Sequence, residues 1–356
     1  FKSSIYESSH LLKMFTRLLT VGLEGLNHAS FHPLARPARF ELIQFSLDVL
    51  EVHTRLSSSN VVHSLKDLII SSALTWFSQP SQWPFGGNKL KLRADVDLLS
   101  KIAVTLKSMY ISTNSKSQAF VATKRDLLLY FMADELAKMT AWLDPLQTGP
   151  NFRDNLGKKL IPSFTVSVNV LNNAWDIDPV LAVYLVERFK SNDLASRLEA
   201  LIGKSPLKVV SVPEALPYFL RARNSRKVDA SVDHQLVYWA SVSPIDSINL
   251  FLPSYHADSL LLQYAMRSLK SHDVDITFFY VPQLVQSLRY DVSGYVEQYI
   301  LETAQISQLF AHQIIWNILA NLFKGDDLPE NTAEDSVNPI LERVIKRMTS
   351  AFNPHE

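Results

Sequence analysis

The sequence predicts an all-α fold, an α-solenoid or armadillo-like superhelix of antiparallel helix pairs. Apolar residues recur at i, i+3, i+4 and i+7 along nearly all of the 356 residues, which is the pattern of a buried helix face. Only 9 residues are glycine, so few positions supply the left-handed backbone that strand-rich folds need at their turns. No segment shows sustained strict alternation of polar and apolar residues, the pattern of a β-strand.

The periodicity is clearest in the last third of the chain. Four apolar sets begin at residues 262, 281, 296 and 315, so alternate sets begin 34 residues apart. The sets are Leu262, Ala265, Met266 and Leu269; Val281, Leu284, Val285 and Leu288; Val296, Tyr299, Ile300 and Thr303; and Ile315, Ile318, Leu319 and Leu322. A two-helix unit repeated at this spacing predicts a solenoid in which each pair buries its face against the next. The tetratricopeptide consensus is absent, so the period alone indicates no family.

A composition shift with strong loop chemistry over residues 147–162 predicts a domain boundary. We therefore expect an N-terminal solenoid segment over 1–150 and a second helical domain over 151–356. Shorter breaks are predicted at 78–89, which concentrates proline and glycine, and at the polar segment 111–118.

Near the C-terminus, the acidic, proline-bearing segment 324–339 predicts a flexible loop before a last helix around 340–350. The chain begins at Phe1 and carries no signal-peptide pattern, so we expect it to be a piece of a longer protein.

Two prolines bear on where helices begin. Asp178 is expected to cap a helix that begins at Pro179, with Trp175 packed in the core just before it. Pro282 leaves two alternatives, a bent continuous helix capped by Asp275 and a helix that begins at the proline itself. We favour the bent helix, because apolar residues continue the helix face upstream. They are Ile276, Phe279 and Tyr280.

Composition excludes several classes of function. Lysine plus arginine equals aspartate plus glutamate, 35 each, which argues against a nucleic-acid-binding protein. Cysteine is absent, which excludes disulfides, thiolate-bound zinc and cysteine nucleophiles. No apolar run reaches the ~18 residues that a bilayer-spanning helix needs.

The candidate chemical motifs also favour structural interpretations. The segment "IGKSP" (202–206) lacks the glycine that a phosphate-binding loop needs at position 198, which is Leu198, so Gly203 is expected at a helix end. The ten histidines show no zinc-binding spacing, and His312 is expected to be a partly buried packing residue. The sequence therefore predicts no catalytic, cofactor-binding or metal-binding residues.

Residues 262–319 resemble the helical accessory domain of phosphoinositide lipid kinases. The resemblance rests on a Y-A-x-x-x-L helix, then "PQLVQSLRYD" (282–291), then A-H-x-x-x-W. Here these are Tyr264, Ala265 and Leu269; Pro282 to Asp291; and Ala311, His312 and Trp316. "GYVEQYIL" (294–301) is more similar to the type III alpha phosphatidylinositol 4-kinases than to the 3-kinases. The resemblance covers nearly the whole chain, most strongly over 165–320.

This resemblance implies that the second domain is a helical accessory (PIK-type) domain of a lipid kinase. The parent enzyme is then expected to use ATP and Mg²⁺ to phosphorylate the 4-hydroxyl of phosphatidylinositol, as a cytoplasmic protein peripheral at the plasma membrane. The kinase domain lies outside this chain, so the chain alone is expected to be inactive and to bind no cofactor. The alternative is a free-standing α-solenoid adaptor or scaffold protein without enzymatic activity.

The resemblance also implies partners. They are the parent's own kinase domain, scaffold or adaptor proteins at the plasma membrane, and a second copy in a homodimer, whereas phosphatidylinositol is contacted only through the kinase domain. The interface candidates are Arg289, Tyr290, Asp291, His312 and Trp316. The alternative for the first three is a local cluster that caps a helix end.

Overall fold

The structure, a computed structural model, describes residues 8–56, 59–82, 88–146, 149, 152–161, 165–225, 230–255, 258–322 and 338–352. Within these ranges the regular elements are α-helices and short 3-10 helices, with no β-strand among them. The helices that begin before residue 200 are α1 (Ser9–Gly25), α2 (Arg36–Leu56), α3 (Ser59–Leu74), α4 (Lys89–Ser108), α5 (Lys116–Leu143), α6 (Phe152–Leu160), α7 (Val168–Ile177), α8 (Pro179–Arg188) and α9 (Asn192–Lys204). Those that follow are α10 (Leu216–Asn224), α11 (Pro244–Asn249), α12 (Ser259–Lys270), α13 (Val274–Thr277), α14 (Val281–Leu288), α15 (Tyr295–Ile306), α16 (Gln308–Ala320) and α17 (Pro339–Phe352).

The chain forms two compact units, Phe1–Ala200 and Leu201–Glu356. In the first unit, helices pack on the next helix and on the one after it: α1 contacts α2 and α3, α2 contacts α3 and α4, and α5 contacts α6 and α7. This is the neighbour pattern of an α-solenoid, in which each helix pair buries its apolar face against the next. The predicted all-α solenoid class is confirmed.

Side-chain contacts give the helix directions in the first unit. Thr16 of α1 meets His53 near the end of α2 (Oγ1 to Nε2, 2.6 Å), and Arg39 near the start of α2 donates to the carbonyl of Leu26, just after α1 ends. These neighbours therefore run antiparallel. Helices α3 and α5 run parallel. Lys124 Nζ of α5 lies 2.7 Å from Asp67 Oδ1 of α3. Further along both segments, Phe131 of α5 stacks on Phe77, just after α3 ends, at 5.0 Å between ring centroids. Antiparallel neighbours with parallel second neighbours define two stacked layers of helices.

The second unit repeats the same neighbour pattern. Helix α11 contacts α12 and α14, α12 contacts α15, and α14 contacts α15 and α16. Its core includes Trp239, which stacks on Phe219 at 4.9 Å between ring centroids and donates Nε1–H to the Val212 carbonyl at 3.0 Å. The start of α12 at Ser259 and of α15 at Tyr295 lie 36 residues apart, close to the predicted spacing of 34.

Capping at Pro179 follows the sequence prediction. The carboxylate of Asp178 accepts the N–H of Val180 at 2.9 Å, and Pro179 occupies the first turn of α8, where its missing N–H has no partner to lose. Trp175 is buried, as predicted.

At Pro282 the structure shows the alternative that was not favoured. Helix α13 is only four residues long, residues 278–280 form a 3-10 turn, and α14 begins at Val281 with Pro282 in its first turn. A continuous bent helix is therefore wrong, because the first-turn position removes the proline's conflict with an upstream carbonyl. The residue before α13 is Asp273, so Asp275 is not the cap.

The predicted apolar sets of α12, α14 and α15 are buried, but the last set is out of register. Helix α16 buries Phe310, Ala311, Ile314 and Ile318, whereas Leu319 is 46% exposed. Two faces of this helix are apolar, so periodicity alone did not distinguish the packed face.

The predicted breaks lie partly outside the described residues, at 83–87, 147–148, 150–151, 162–164 and the greater part of the acidic segment 324–339. Within 147–162, Phe152–Leu160 form helix α6, so a loop over that whole segment is wrong. The break predicted at 111–118 is present as the connection between α4 and α5. The boundary between 1–150 and 151–356 stays a prediction. The predicted final helix is present as α17.

Candidate interaction surface

Asp291, the first interface candidate, caps a helix. Its carboxylate is buried and accepts the N–H of Glu297 at 2.8 Å, in the first turn of α15. Burial raises the pKa of the Asp291 carboxyl, and the backbone N–H groups at the helix start oppose that rise. Gly294 precedes α15 in the left-handed region (φ 76°), which turns the chain so that Asp291 reaches those N–H groups.

Arg289 and Tyr290 point to different environments. Arg289 donates from Nη2 to the carbonyl of Asn321 at 3.1 Å, where α16 ends, and complements the negative end of that helix. Tyr290 is 51% exposed. The contacts of Arg289 and Asp291 are those of the local capping alternative. A role for the three residues in an interface stays a prediction.

His312 and Trp316 lie on one exposed side of α16. They share it with Leu309 and Leu319, and we call these four residues the α16 face. Leu309 is 67% exposed and Trp316 is 69% exposed. His312 is also exposed, so its predicted packing role is wrong. His312 lies one turn before Trp316, so its ring shares the outer side of the helix with that residue.

The α16 face is unusual in its chemistry. No residue of α16 is charged, and its opposite side is packed, with Phe310 edge-on to Tyr299 at 6.3 Å between ring centroids. Contiguous exposed apolar side chains without charges are typical of the core of a protein–protein interface. This face is therefore the strongest candidate contact surface in the described part of the second unit.

A carboxylate clamp, which the sequence did not predict, joins α17 to α15. Glu297 receives Arg343 Nη2 at 2.6 Å and Arg347 Nη1 at 2.5 Å. Arg343 and Arg347 are one helical turn apart, so both guanidinium groups reach the same acid. On its inner side, α17 buries Leu341, Val344 and Met348.

A buried ion network in the first unit also went unpredicted. Arg188 Nη1 lies 3.1 Å from Asp134 Oδ2 and 2.9 Å from Glu135 Oε2, and all three side chains are nearly inaccessible. Arg36 adds a contact of 3.8 Å to Glu135. The signal was present in the sequence, because Asp134 and Glu135 interrupt the apolar run "LLLYFMADELAKM". Charges in such a run are buried only when paired.

The predicted absence of metal and phosphate sites concerns only a few positions of the described residues. Among them, no group of three or more His, Asp or Glu side chains is placed to hold a metal ion. Gly203 lies in the last turn of α9, and no phosphate-binding loop forms around it. Every helix in the described ranges is too short or too polar to cross a bilayer.

These features define an all-α protein built from stacked helix pairs. Comparison with known proteins then shows its family. Residues 185–354 match the family described as phosphoinositide 3-kinase family, accessory domain (PIK domain), and residues 1–123 match the PI4-kinase N-terminal region.

Individual relatives match along almost the whole chain. It is 38% identical over 354 residues to phosphatidylinositol 4-kinase STT4 of Saccharomyces cerevisiae, covering 99% of this chain and 18% of that protein. Identity is 32% over 347 residues to phosphatidylinositol 4-kinase stt4 of Schizosaccharomyces pombe, covering 97% and 18%. It is 25% over 362 residues to phosphatidylinositol 4-kinase alpha 1 of Arabidopsis thaliana, covering 91% and 17%.

The chain belongs to the phosphatidylinositol 4-kinase family, as the resemblance predicted. It spans less than a fifth of the length of these relatives and corresponds to their N-terminal and accessory region.

Proposed function

We propose that this chain is the helical spine of a phosphatidylinositol 4-kinase, which supports the kinase domain and offers faces to partner proteins. In this proposal the whole enzyme transfers the γ-phosphate of ATP, held with Mg²⁺, to the 4-hydroxyl of phosphatidylinositol at the plasma membrane. The names of the relatives and the accessory-domain match support the proposal. The spine binds neither nucleotide nor lipid.

The observation that carries the supporting role is the α16 face. Large apolar side chains at the surface are stabilised when another protein surface covers them, and an uncharged helix loses no ion hydration when it is covered. We assign the kinase domain of the same enzyme as the cover. A domain of the same polypeptide is present at a high effective concentration, so a modest apolar contact is enough to hold it.

The test uses the full-length enzyme with Trp316→Asp. A carboxylate at this position has to lose its water when the face is covered. We therefore expect lower lipid kinase activity, and faster cleavage by limited proteolysis of the segment that joins the helical domain to the kinase domain. Because Trp316 is largely exposed, the melting temperature of the helical unit should not change. Unchanged activity together with an unchanged proteolysis rate would rule out the α16 face as the support.

Phe279→Asp is the matched control. Phe279 is also aromatic and 78% exposed, but it lies in the turn before α14 rather than on α16. We expect this variant to retain both activity and domain contact. A loss as large as that of Trp316→Asp would show that any exposed apolar-to-acid change disturbs the enzyme, and the assignment would fail.

The adaptor alternative has its own test. If the polypeptide that contains this chain encoded no glycine-rich loop, paired lysine and D-F-G segment, the kinase role would be abandoned. The purified 356-residue chain is expected to turn over no ATP. Lipid kinase activity in a preparation free of contaminating kinases would contradict the proposal that catalysis lies elsewhere in the polypeptide.

A further inference from the structure

The turn that follows helix α9 carries the segment "GKSPLK" (203–208), to which the proposed function gives no role. Helix α9 ends one residue before Ser205, and Pro206–Val209 form a 3-10 turn directly after it. Ser205 has φ −146° and ψ 62°, outside the helical region. Its backbone N–H donates to the carbonyls of Leu201 and Ile202 at 3.2 and 3.1 Å. The backbone therefore ends the helix without help from the serine side chain.

The side chain of Ser205 is available for a reaction. It is partly exposed, and in the part of the chain that the structure describes its hydroxyl makes no hydrogen bond. A serine hydroxyl is a weak nucleophile until a neighbouring base activates it. Because no base of this chain contacts the hydroxyl, a separate enzyme has to supply the base.

Two lysines flank this hydroxyl. Lys204 precedes Ser205 and Lys208 follows it by three residues, and both side chains are exposed. The chain folds back between them, because Lys208 donates its N–H to the Ser205 carbonyl at 3.3 Å. Residues three apart lie above one another in a 3-10 turn, which places Lys208 close to the serine. Residues 200–210 contain no acid, so the turn suits a negatively charged group on Ser205.

The order of the residues indicates the kind of enzyme. Pro206 follows the serine directly and has no backbone N–H. A proline-directed protein kinase selects such a residue, because any other residue would bring an N–H group that stays unpaired in the enzyme's binding site. A basic residue three positions after the acceptor adds a charge contact to the enzyme, and charge patterns of this kind distinguish kinase substrates. The pattern S-P-x-K is typical of substrates of cyclin-dependent protein kinases.

We propose that Ser205 is a phosphorylation site for a proline-directed protein kinase of this type. Ser205 Oγ bonds to the γ-phosphorus of MgATP, the bond from that phosphorus to the β–γ bridging oxygen breaks, and ADP leaves. The hydroxyl proton passes to a carboxylate base of the protein kinase. The phosphate carries about 1.5 to 2 negative charges at pH 7, which offset the charges of Lys204 and Lys208. Phosphorylation therefore changes the turn from basic to nearly neutral.

The second Ser-Pro pair of the chain is an internal control. Ser243 precedes Pro244, which is buried, as Pro206 is. The Ser243 hydroxyl donates to Asp246 Oδ2 at 2.6 Å and accepts the N–H of Asp246 at 3.2 Å, which caps α11. The hydroxyl has to leave this cap before it can react, and a phosphate there would meet the Asp246 carboxylate. We therefore expect Ser243 to be a poor acceptor.

Phosphorylation of the full-length polypeptide tests the proposal. The purified polypeptide is incubated with a cyclin-dependent kinase–cyclin complex and MgATP, and mass spectrometry follows the peptides that contain the two serines. We expect Ser205 to gain phosphate several-fold faster than Ser243. Both prolines are buried, so each turn has to open locally, and the comparison of rates isolates the free hydroxyl and the neighbouring charges. Equal rates at the two serines, or no phosphate on Ser205, would overturn the proposal.

A lysine variant tests the charge contact. Lys208→Gln should slow phosphorylation of Ser205 several-fold, whereas Lys190→Gln, at an exposed lysine outside the turn, should leave the rate unchanged. Equal rates in the two variants would contradict the role of Lys208. Polypeptide isolated from cells in the presence of phosphatase inhibitors should carry phosphate on Ser205. If that peptide were found only in its unmodified form, the proposal would fail.

Discussion

Glu297 and Arg343 form an ion pair in which only one partner is buried. Glu297 Oε2 lies 2.6 Å from Arg343 Nη2, and the exposed fractions of the two side chains are 4% and 53%. Arg347 adds a second contact at 2.5 Å, and the backbone N–H of Glu297 is bound by Asp291. One buried carboxylate therefore ties α17 to the first turn of α15. Because the acid is shielded from water, these contacts stabilise the fold more than pairs between two exposed side chains.

Glu297→Gln is expected to destabilise the second unit by about 1.5–3 kcal/mol, the range for hydrogen bonds to charged groups. Glutamine keeps the size of the side chain but leaves two arginines facing a neutral amide. Chemical denaturation measures the loss, and hydrogen exchange over residues 338–352 should accelerate as α17 is released. Glu342→Gln is the control, since Glu342 is half-exposed and its pair with Lys346 contributes about 0–1 kcal/mol. Equal effects of the two variants would contradict the clamp.

Arg188→Met is expected to cost about 3–5 kcal/mol, because it removes the cation and leaves Asp134 and Glu135 buried with less compensation. Arg188 also lies over the rings of Phe77 and Phe131, at 5.2 and 5.7 Å. Thermal or urea unfolding of the first unit measures the change.

The control for Arg188 is Arg55→Met. Arg55 pairs with Glu51 one turn away on α2, and both side chains are about 60% exposed, so its loss should cost less than about 1 kcal/mol. If Arg188→Met lowered the free energy of unfolding no more than Arg55→Met does, the buried ion network would not stabilise the first unit.

His53 predicts a pH dependence of stability. Its ring is buried and contacts Thr16 Oγ1 at 2.6 Å, and burial lowers the pKa of His53 below its ordinary value of 6.5. The unfolded chain therefore binds more protons than the folded chain between the two pKa values, so the free energy of unfolding rises with pH in that window. We expect stability to be full above pH 6.5 and to fall on acidification below it, as the buried ring is forced to take up a proton.

A difference measurement isolates that contribution. The free energy of unfolding of His53→Asn should depend less on pH between 7.5 and 5 than that of the parent chain, about 1.4 kcal/mol less for each unit by which the pKa is lowered. An unchanged slope in the His53 variant would show that this ring does not govern the dependence.

The sequence predicted what periodicity and capping control. The buried sets of α12, α14 and α15 and the cap at Asp178 follow from local rules that need no knowledge of neighbours. The packed face of α16 could not be predicted in this way. That helix is apolar on two sides, and the side that is buried depends on which helices lie next to it. The clamp at Glu297 joins residues 46 positions apart, so no local pattern contains it. The exposed position of His312 was not predicted for the same reason, because the sequence does not show which side of α16 is packed.

Gly294 gives the last prediction, and it separates backbone strain from crowding. Its φ of 76° lies in the left-handed region, yet a Cβ there would meet nothing within 4 Å. Gly294→Ala is therefore expected to cost about 1–2 kcal/mol from the backbone alone, and Gly294→Asn less, because asparagine adopts this conformation more readily.

Gly25→Ala is the control. Gly25 is equally open but has φ −61° and ψ −23°, so alanine should be neutral or should stabilise by about 0.4–1 kcal/mol through the unfolded chain. Urea unfolding of the three variants should rank Gly25→Ala above Gly294→Asn and Gly294→Ala last. A Gly294→Ala variant as stable as Gly25→Ala would mean that the turn before α15 relaxes without cost, and Asp291 would then not depend on it to reach the helix start.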